Sequence, residues 1–89
     1  MYQVPIDDDF QLMLVSALRY ALTRNSYIVE LTIEYIERKI PLMDKKYLSI
    51  MSRDIGEENR FYHGLYADID KRWIQLKEKI DERLKEVQA

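Results

Sequence analysis

At 89 residues the chain is long enough to build one hydrophobic core and too short for two. Hydrophobic residues make up 47% and charged residues 34%, a balance that favours folding and excludes a disordered tail. A formal net charge of −2 excludes a global attraction to nucleic acid or anionic membrane, and the lack of cysteine excludes disulfides and thiolate metal sites.

The N-terminal MYQVPIDDDF has neither the basic region nor the apolar run of a signal peptide. No stretch of about 18 apolar residues follows it anywhere in the chain. The expectation is a cytoplasmic protein with no membrane partner. Hydrophobic periodicity then predicts four helices and no strand, an all-α bundle of three core helices plus a long amphipathic C-terminal helix, spanning 1–89 as one domain.

The first helix is predicted from about Asp9 to Arg24, with Asp7 and Asp8 available to cap its amide groups and to complement its dipole. After the break at RNS, a second runs from about Tyr27 to Ile40 and stops at Pro41. Asp44 offers a cap for a third, about Lys45 to Ile55, closing at Gly56 in a left-handed turn. Residues 57 to 66 read as a loop, and a fourth helix starts near Ala67 or Asp68 and reaches about Glu86.

Plotted at about 100° per residue, each helix shows the face it should bury. In the second, Ile28, Val29, Leu31, Thr32, Ile33, Tyr35, Ile36 and Ile40 cover more than half the circumference, which marks it as the central helix. The fourth carries a narrow stripe of Ile69, Trp73, Leu76, Ile80, Leu84 and Val87. Off that stripe lie Ile74 and the acid-before-base pairs Asp68 with Arg72 and Asp81 with Lys85.

Two charges stand where apolar residues belong. Arg24 falls between the directions of Met13 and Ala17, and Asp54 is flanked by Tyr47, Ile50 and Met51 at helical spacing. One misplaced cation and one misplaced anion suggest a partly buried pair: Arg24, or failing that Arg19, with Asp54. Breaking such a pair from one side costs about 3–5 kcal/mol when the stranded charge stays desolvated.

The runs SALRYALTRNSYIVE, SRDIGE and ADIDKRWIQL resemble a family of small uncharacterised proteins of phages and prophages of Gram-positive bacteria. The hallmark of that family looks like L-R-Y-A-L-G-R-x-T-Y, then an R-D-I segment and an aspartate-rich turn before a tryptophan. By position, the signature residues here are Arg19, Tyr20, Arg24, Tyr27, Asp54, Asp70 and Trp73. Thr23 stands in place of the glycine and Ser26 in place of the threonine, which puts a sharp glycine turn in doubt. The resemblance implies a mobile-element origin and a cytoplasmic setting in the bacterial host, and it supplies no reaction.

No catalytic constellation is legible. The single histidine, His63, has no acidic or nucleophilic residue at triad or metal spacing, so a loop residue packing on aromatics is expected. The aspartates at 7–9, 68 and 70 lack the glycine turn and closing glutamate of a calcium loop and read as helix caps. No enzyme, metal or cofactor is expected.

Two surfaces remain as binding candidates. The aromatic loop residues Phe61, Tyr62, Leu65 and Tyr66 either cover the open end of the bundle or, together with Trp73 and Ile74 of the fourth helix, form one for a protein partner. The C-terminal stripe also permits pairing with a second copy. The alternative is a DNA or RNA contact through Arg38, Lys39, Lys45, Lys46 and Arg53, against which the segment KKYLSIMSRDI is short of the side chains that read base edges. The preferred expectation is a noncatalytic accessory protein acting by protein–protein contact, with a host protein among its targets.

Overall fold

Local capping chemistry decides where the first helix begins. The computed structural model describes residues 7–24, 27–58 and 67–88. At the start of α1 (Asp8–Leu22) the Asp7 carboxylate accepts the Phe10 N–H at 2.8 Å, with Asp8 and Asp9 in the first turn. The helix ends at Leu22, two residues short of the expected Arg24. The Thr23 hydroxyl donates to the Tyr20 carbonyl at 2.9 Å, and the Arg24 N–H bonds Ala21 in a tighter turn.

Helix α2 spans Tyr27–Lys39. Pro41 does not stop the chain at once: it sits in the first turn of a 3-10 segment, Ile40–Leu42, where its missing N–H leaves no bond unmade. Helix α3 spans Lys45–Gly56 and α4 spans Ala67–Gln88. Among the described residues there is no strand, and the fold is the expected all-α bundle with a long C-terminal helix.

The four helices form a ring. Each packs against two neighbours in the order α1, α2, α4, α3, and the α3–α4 seam is the most extensive. Leu18, Ala21, Val29, Ile33, Ile36, Leu48, Met51, Trp73, Leu76 and Ile80 are fully buried at its centre. The narrow stripe of α4 thus enters the core as deeply as any other helix. α2 is not the central helix: it buries Val29, Ile33 and Ile36, while Ile28, Leu31 and Tyr35 stay largely exposed. In a ring of four, a helix covers only the arc facing its two neighbours.

Gly56 departs from expectation as well. The following residue, Glu57, keeps a right-handed backbone at φ −91°, so no left-handed turn closes α3. The glycine instead leaves room for the Lys77 side chain, since a Cβ there would lie 3.2 Å from Lys77 Cε. Lys77 then reaches Asp81 at 2.8 Å, and the other Asp81 oxygen accepts the Ser52 hydroxyl of α3.

A buried glutamine joins the first helix to the third. Gln11 is fully buried; its Oε1 accepts the Asp44 N–H at 2.7 Å and its Nε2 donates to the Asp44 carboxylate at 3.2 Å. Asp44 is the N-cap residue of α3, but its side chain caps nothing in its own helix. The α1 glutamine satisfies an amide at the helix start in its place. Gln11→Leu leaves that partly buried amide without its glutamine partner and should cost about 1 kcal/mol, read as a lower urea midpoint. Gln11→Glu should cost more at neutral pH, through repulsion from Asp44, and recover part of the loss in acid.

Candidate functional site

An apolar surface lies open where α1 meets α2. Its floor is a groove of about 270 Å³ lined by Leu14, Ala17, Leu31, Thr32, Tyr35 and Ile36. The groove exists because two small residues meet across the seam, Ala17 from α1 and Thr32 from α2. Thr32 donates its hydroxyl to the Ile28 carbonyl at 2.7 Å, so its polar group is satisfied within its own helix. At one end Phe10 and Tyr35 bring their ring centroids to 6.3 Å.

The same two helices leave large side chains open to solvent. Met13 is 57% and Tyr20 54% exposed on α1, while Tyr27, Ile28, Leu31 and Tyr35 are 41–77% exposed on α2. Leu12, also exposed, projects toward the opposite side of α1 by helical spacing. Large hydrophobic side chains exposed together on one side of a protein mark an interaction surface. Cations lie over two of the rings: the Arg24 guanidinium is 4.5 Å from the Tyr20 centroid and the Lys39 ammonium 5.3 Å from that of Tyr35.

Chemically, the groove is a place for a side chain from a partner. It is smaller than the roughly 300–1,000 Å³ of drug-sized ligand pockets. Its lining contains no ionisable group but the phenol of Tyr35, so it offers no acid, base or nucleophile set. Among the described residues no group of three or more histidine and acidic side chains could hold a metal ion, and no helix is long and apolar enough to cross a membrane.

The charged clusters lie elsewhere and tie helices together. Glu37 of α2 accepts from Arg72 at 3.0 Å and Lys79 at 2.6 Å, both on α4, and Arg72 also approaches Glu30 at 3.7 Å. Partial burial pushes the Glu37 carboxyl upward, but the hydrogen bonds and charges of Lys79 and Arg72 outweigh it and hold the group below its ordinary 4.5. Asp81 is likewise held below its ordinary 3.8: burial raises it, while bonds from Lys77 and Ser52 and the charges of Lys77 and Lys85 lower it further. Helical spacing pairs Arg72 with Asp68 within α4. The guanidinium instead spans two helices, because Glu37 lies on the seam where α2 packs against α4.

Each sequence-derived candidate now has a position. Asp54 pairs with Arg19 Nε at 2.7 Å, joining α1 to α3. The preferred partner, Arg24, lies beyond the end of α1, so the helical angle assigned to it does not apply; it rests on Tyr20 at the surface. The Arg19 side chain is 54% exposed, which lowers the expected worth of the pair from about 3–5 kcal/mol to about 1 kcal/mol or less.

Trp73 is wholly buried and cannot be a contact surface, and its indole Nε1 has no hydrogen-bond acceptor among the described residues. Ile74 is 47% exposed, Asp70 is buried, and Val87 leaves the stripe for solvent. Phe61, Tyr62, His63, Leu65 and Tyr66 lie outside the described residues. Of the basic set, Arg38 and Lys39 end α2 and Lys45 and Lys46 begin α3, whereas Arg53 is roughly 12 Å farther along that helix. The expected turn therefore holds four of the five cations and not the fifth.

Sequence reasoning missed the α1–α2 face. The signal was present: Met13, Ala17 and Tyr20 share a direction, and the apolar arc of α2 is wider than two neighbours can cover. Comparison with protein-family models, curated proteins and solved structures finds no match to this chain.

The Glu37 cluster has a measurable acid signature. A carboxyl held low in the folded state contributes stability in full above 4.5, and that contribution fades as pH falls through the folded value. Glu37→Gln should therefore lower stability by about 1–2 kcal/mol at pH 7. The gap from the wild type should narrow below pH 4.5 in thermal melts across a pH series.

Proposed function

We propose that this chain is a noncatalytic accessory protein that acts by protein–protein contact, and that the outward face of α1 and α2 is the surface it uses. The single observation carrying this reading is the apolar groove between the two helices, lined in part by the exposed Leu31 and Tyr35, with Met13, Tyr20, Tyr27 and Ile28 exposed on the same two helices. Exposing that much apolar surface is unfavourable unless a partner covers it. The chosen surface differs from the loop and fourth helix singled out in the sequence; Ile74 remains a second, isolated apolar contact.

The resemblance to small phage and prophage proteins supports a mobile-element setting in the bacterial cytoplasm. There the protein would meet other phage proteins or host proteins. The basic end formed by Arg38, Lys39, Lys45 and Lys46 supports the alternative, a nucleic-acid contact. At that end Lys39 and Lys46 lie over their own neighbours Tyr35 and Tyr47, which leaves neither ring free as a stacking platform.

Capture tests the reading. A tagged chain is co-expressed with an untagged copy in bacteria, recovered after nuclease treatment, and compared with Met13→Glu/Leu31→Glu and with Ile74→Glu. A protein partner should survive nuclease and Ile74→Glu and should be lost with the double variant, because a charge buried without a partner costs at least about 2 kcal/mol, or roughly thirtyfold in affinity. Recovery that vanishes with nuclease and with Lys45→Ala/Lys46→Ala, but not with the double variant, would replace this reading with the nucleic-acid one.

A further inference from the structure

The chain offers an oxidant few places to react. It has no cysteine, so no thiol of its own competes for one. The next side chain to react is methionine, whose thioether takes up an oxygen where solvent reaches the sulfur. Met43 is 5% exposed and Met51 wholly buried, both in the core, and the Trp73 indole is wholly buried with them. Met13 is 57% exposed, and among the described residues it is the one methionine open to solvent.

Its position gives that chemistry a consequence. Met13 lies four residues, about one helical turn, before Ala17, which lines the groove between α1 and α2. A change of polarity at its sulfur is therefore a change in the face, while the core lies behind it.

We propose that Met13 is a site of reversible oxidation by peroxide, which turns the α1–α2 face from apolar to polar and releases its partner. This inference rests on the protein-contact reading and supplies its regulation. A sulfur lone pair attacks one oxygen of hydrogen peroxide, and an S–O bond forms as the O–O bond breaks. The sulfur gives up two electrons; the departing hydroxide takes the proton of the transferred oxygen and leaves as water. The reverse step needs two thiols, which become a disulfide as the sulfoxide oxygen leaves as water. This chain holds no thiol, so the methionine sulfoxide reductases of the cell supply them.

The site separates contact from stability. In the free chain the Met13 sulfoxide stays hydrated, and α1 and the core are undisturbed. Under an apolar partner surface the same oxygen loses its water with no donor to replace it, and the contact weakens roughly tenfold. A sulfoxide at Met51 would instead place a polar atom in the core and destabilise the fold.

Hydrogen peroxide added to the purified chain tests this. Peptide mass spectrometry follows each methionine, and retention on a phenyl column follows the face. Met13 should gain its oxygen before Met43 or Met51. Retention should then fall with an unchanged helical circular dichroism spectrum, and the two epimer-specific methionine sulfoxide reductases with dithiothreitol should restore it. Met13→Leu, compared with itself before and after peroxide, should show no fall, although it keeps Met1, Met43 and Met51. In the capture experiment, oxidation should lower recovery of the partner roughly tenfold.

Met43 or Met51 reacting as fast as Met13 overturns the assignment, and so does an equal fall in retention with Met13→Leu. Recovery of a partner that oxidation leaves unchanged overturns the release. A reduced chain that captures no protein overturns the protein-contact reading and the release with it, while the column and the mass spectra still decide whether Met13 is the oxidation site.

Discussion

In a ring of four helices, each helix can bury only the arc that faces two neighbours, and α2 carries more apolar surface than that arc. Everything at the candidate site follows from the mismatch. Val29, Ile33 and Ile36 fill the core, and Glu37 turns toward α4 to meet Arg72 and Lys79. What remains of the apolar surface, Ile28, Leu31 and Tyr35, can only lie along the α1 seam or in solvent. Because α1 presents Ala17 there, the seam stays open as a groove. A larger residue at that position would fill it, so the opening is written into the side-chain volumes.

The remaining contacts hold this geometry in place without occupying the face. Gln11 fixes α1 to the start of α3 through two hydrogen bonds, and Arg19 with Asp54 adds a surface tie a few turns along. On the other side of the ring, Ser52, Lys77 and Asp81 join α3 to α4, with Gly56 clearing space for the Lys77 chain. Stability and contact therefore reside in different residues. A substitution at Met13 or Leu31 changes what the protein can touch, whereas one at Ile33 or Leu76 opens a cavity costing about 2–5 kcal/mol.

How much of this could be read from the chain depended on how local each cause was. The four helices were legible because apolar spacing, the aspartates before α1 and the proline after α2 act within a turn or two. The α4 stripe was equally clear, and Trp73, Leu76 and Ile80 are buried as their spacing implies. The partner of Asp54 was half legible: the anion stood out, but helical angles cease to hold at Leu22, so Arg24 was placed on a face it never reaches. Gln11 gave no warning, since what makes it buried and satisfied is Asp44, 33 residues away. The open face of α2 was misread for a related reason. Periodicity reports how wide an apolar arc is, while the number of neighbours that cover it is a property of the ring.

The most direct measurement of the central claim is crosslinking in bacteria from a photoreactive side chain placed at Leu31, with Glu82 on α4 as the control; both positions are exposed. The account predicts a crosslinked protein from Leu31 and none from Glu82. Crosslinks of equal yield from the two positions, or from Glu82 alone, would contradict the α1–α2 face as the contact surface.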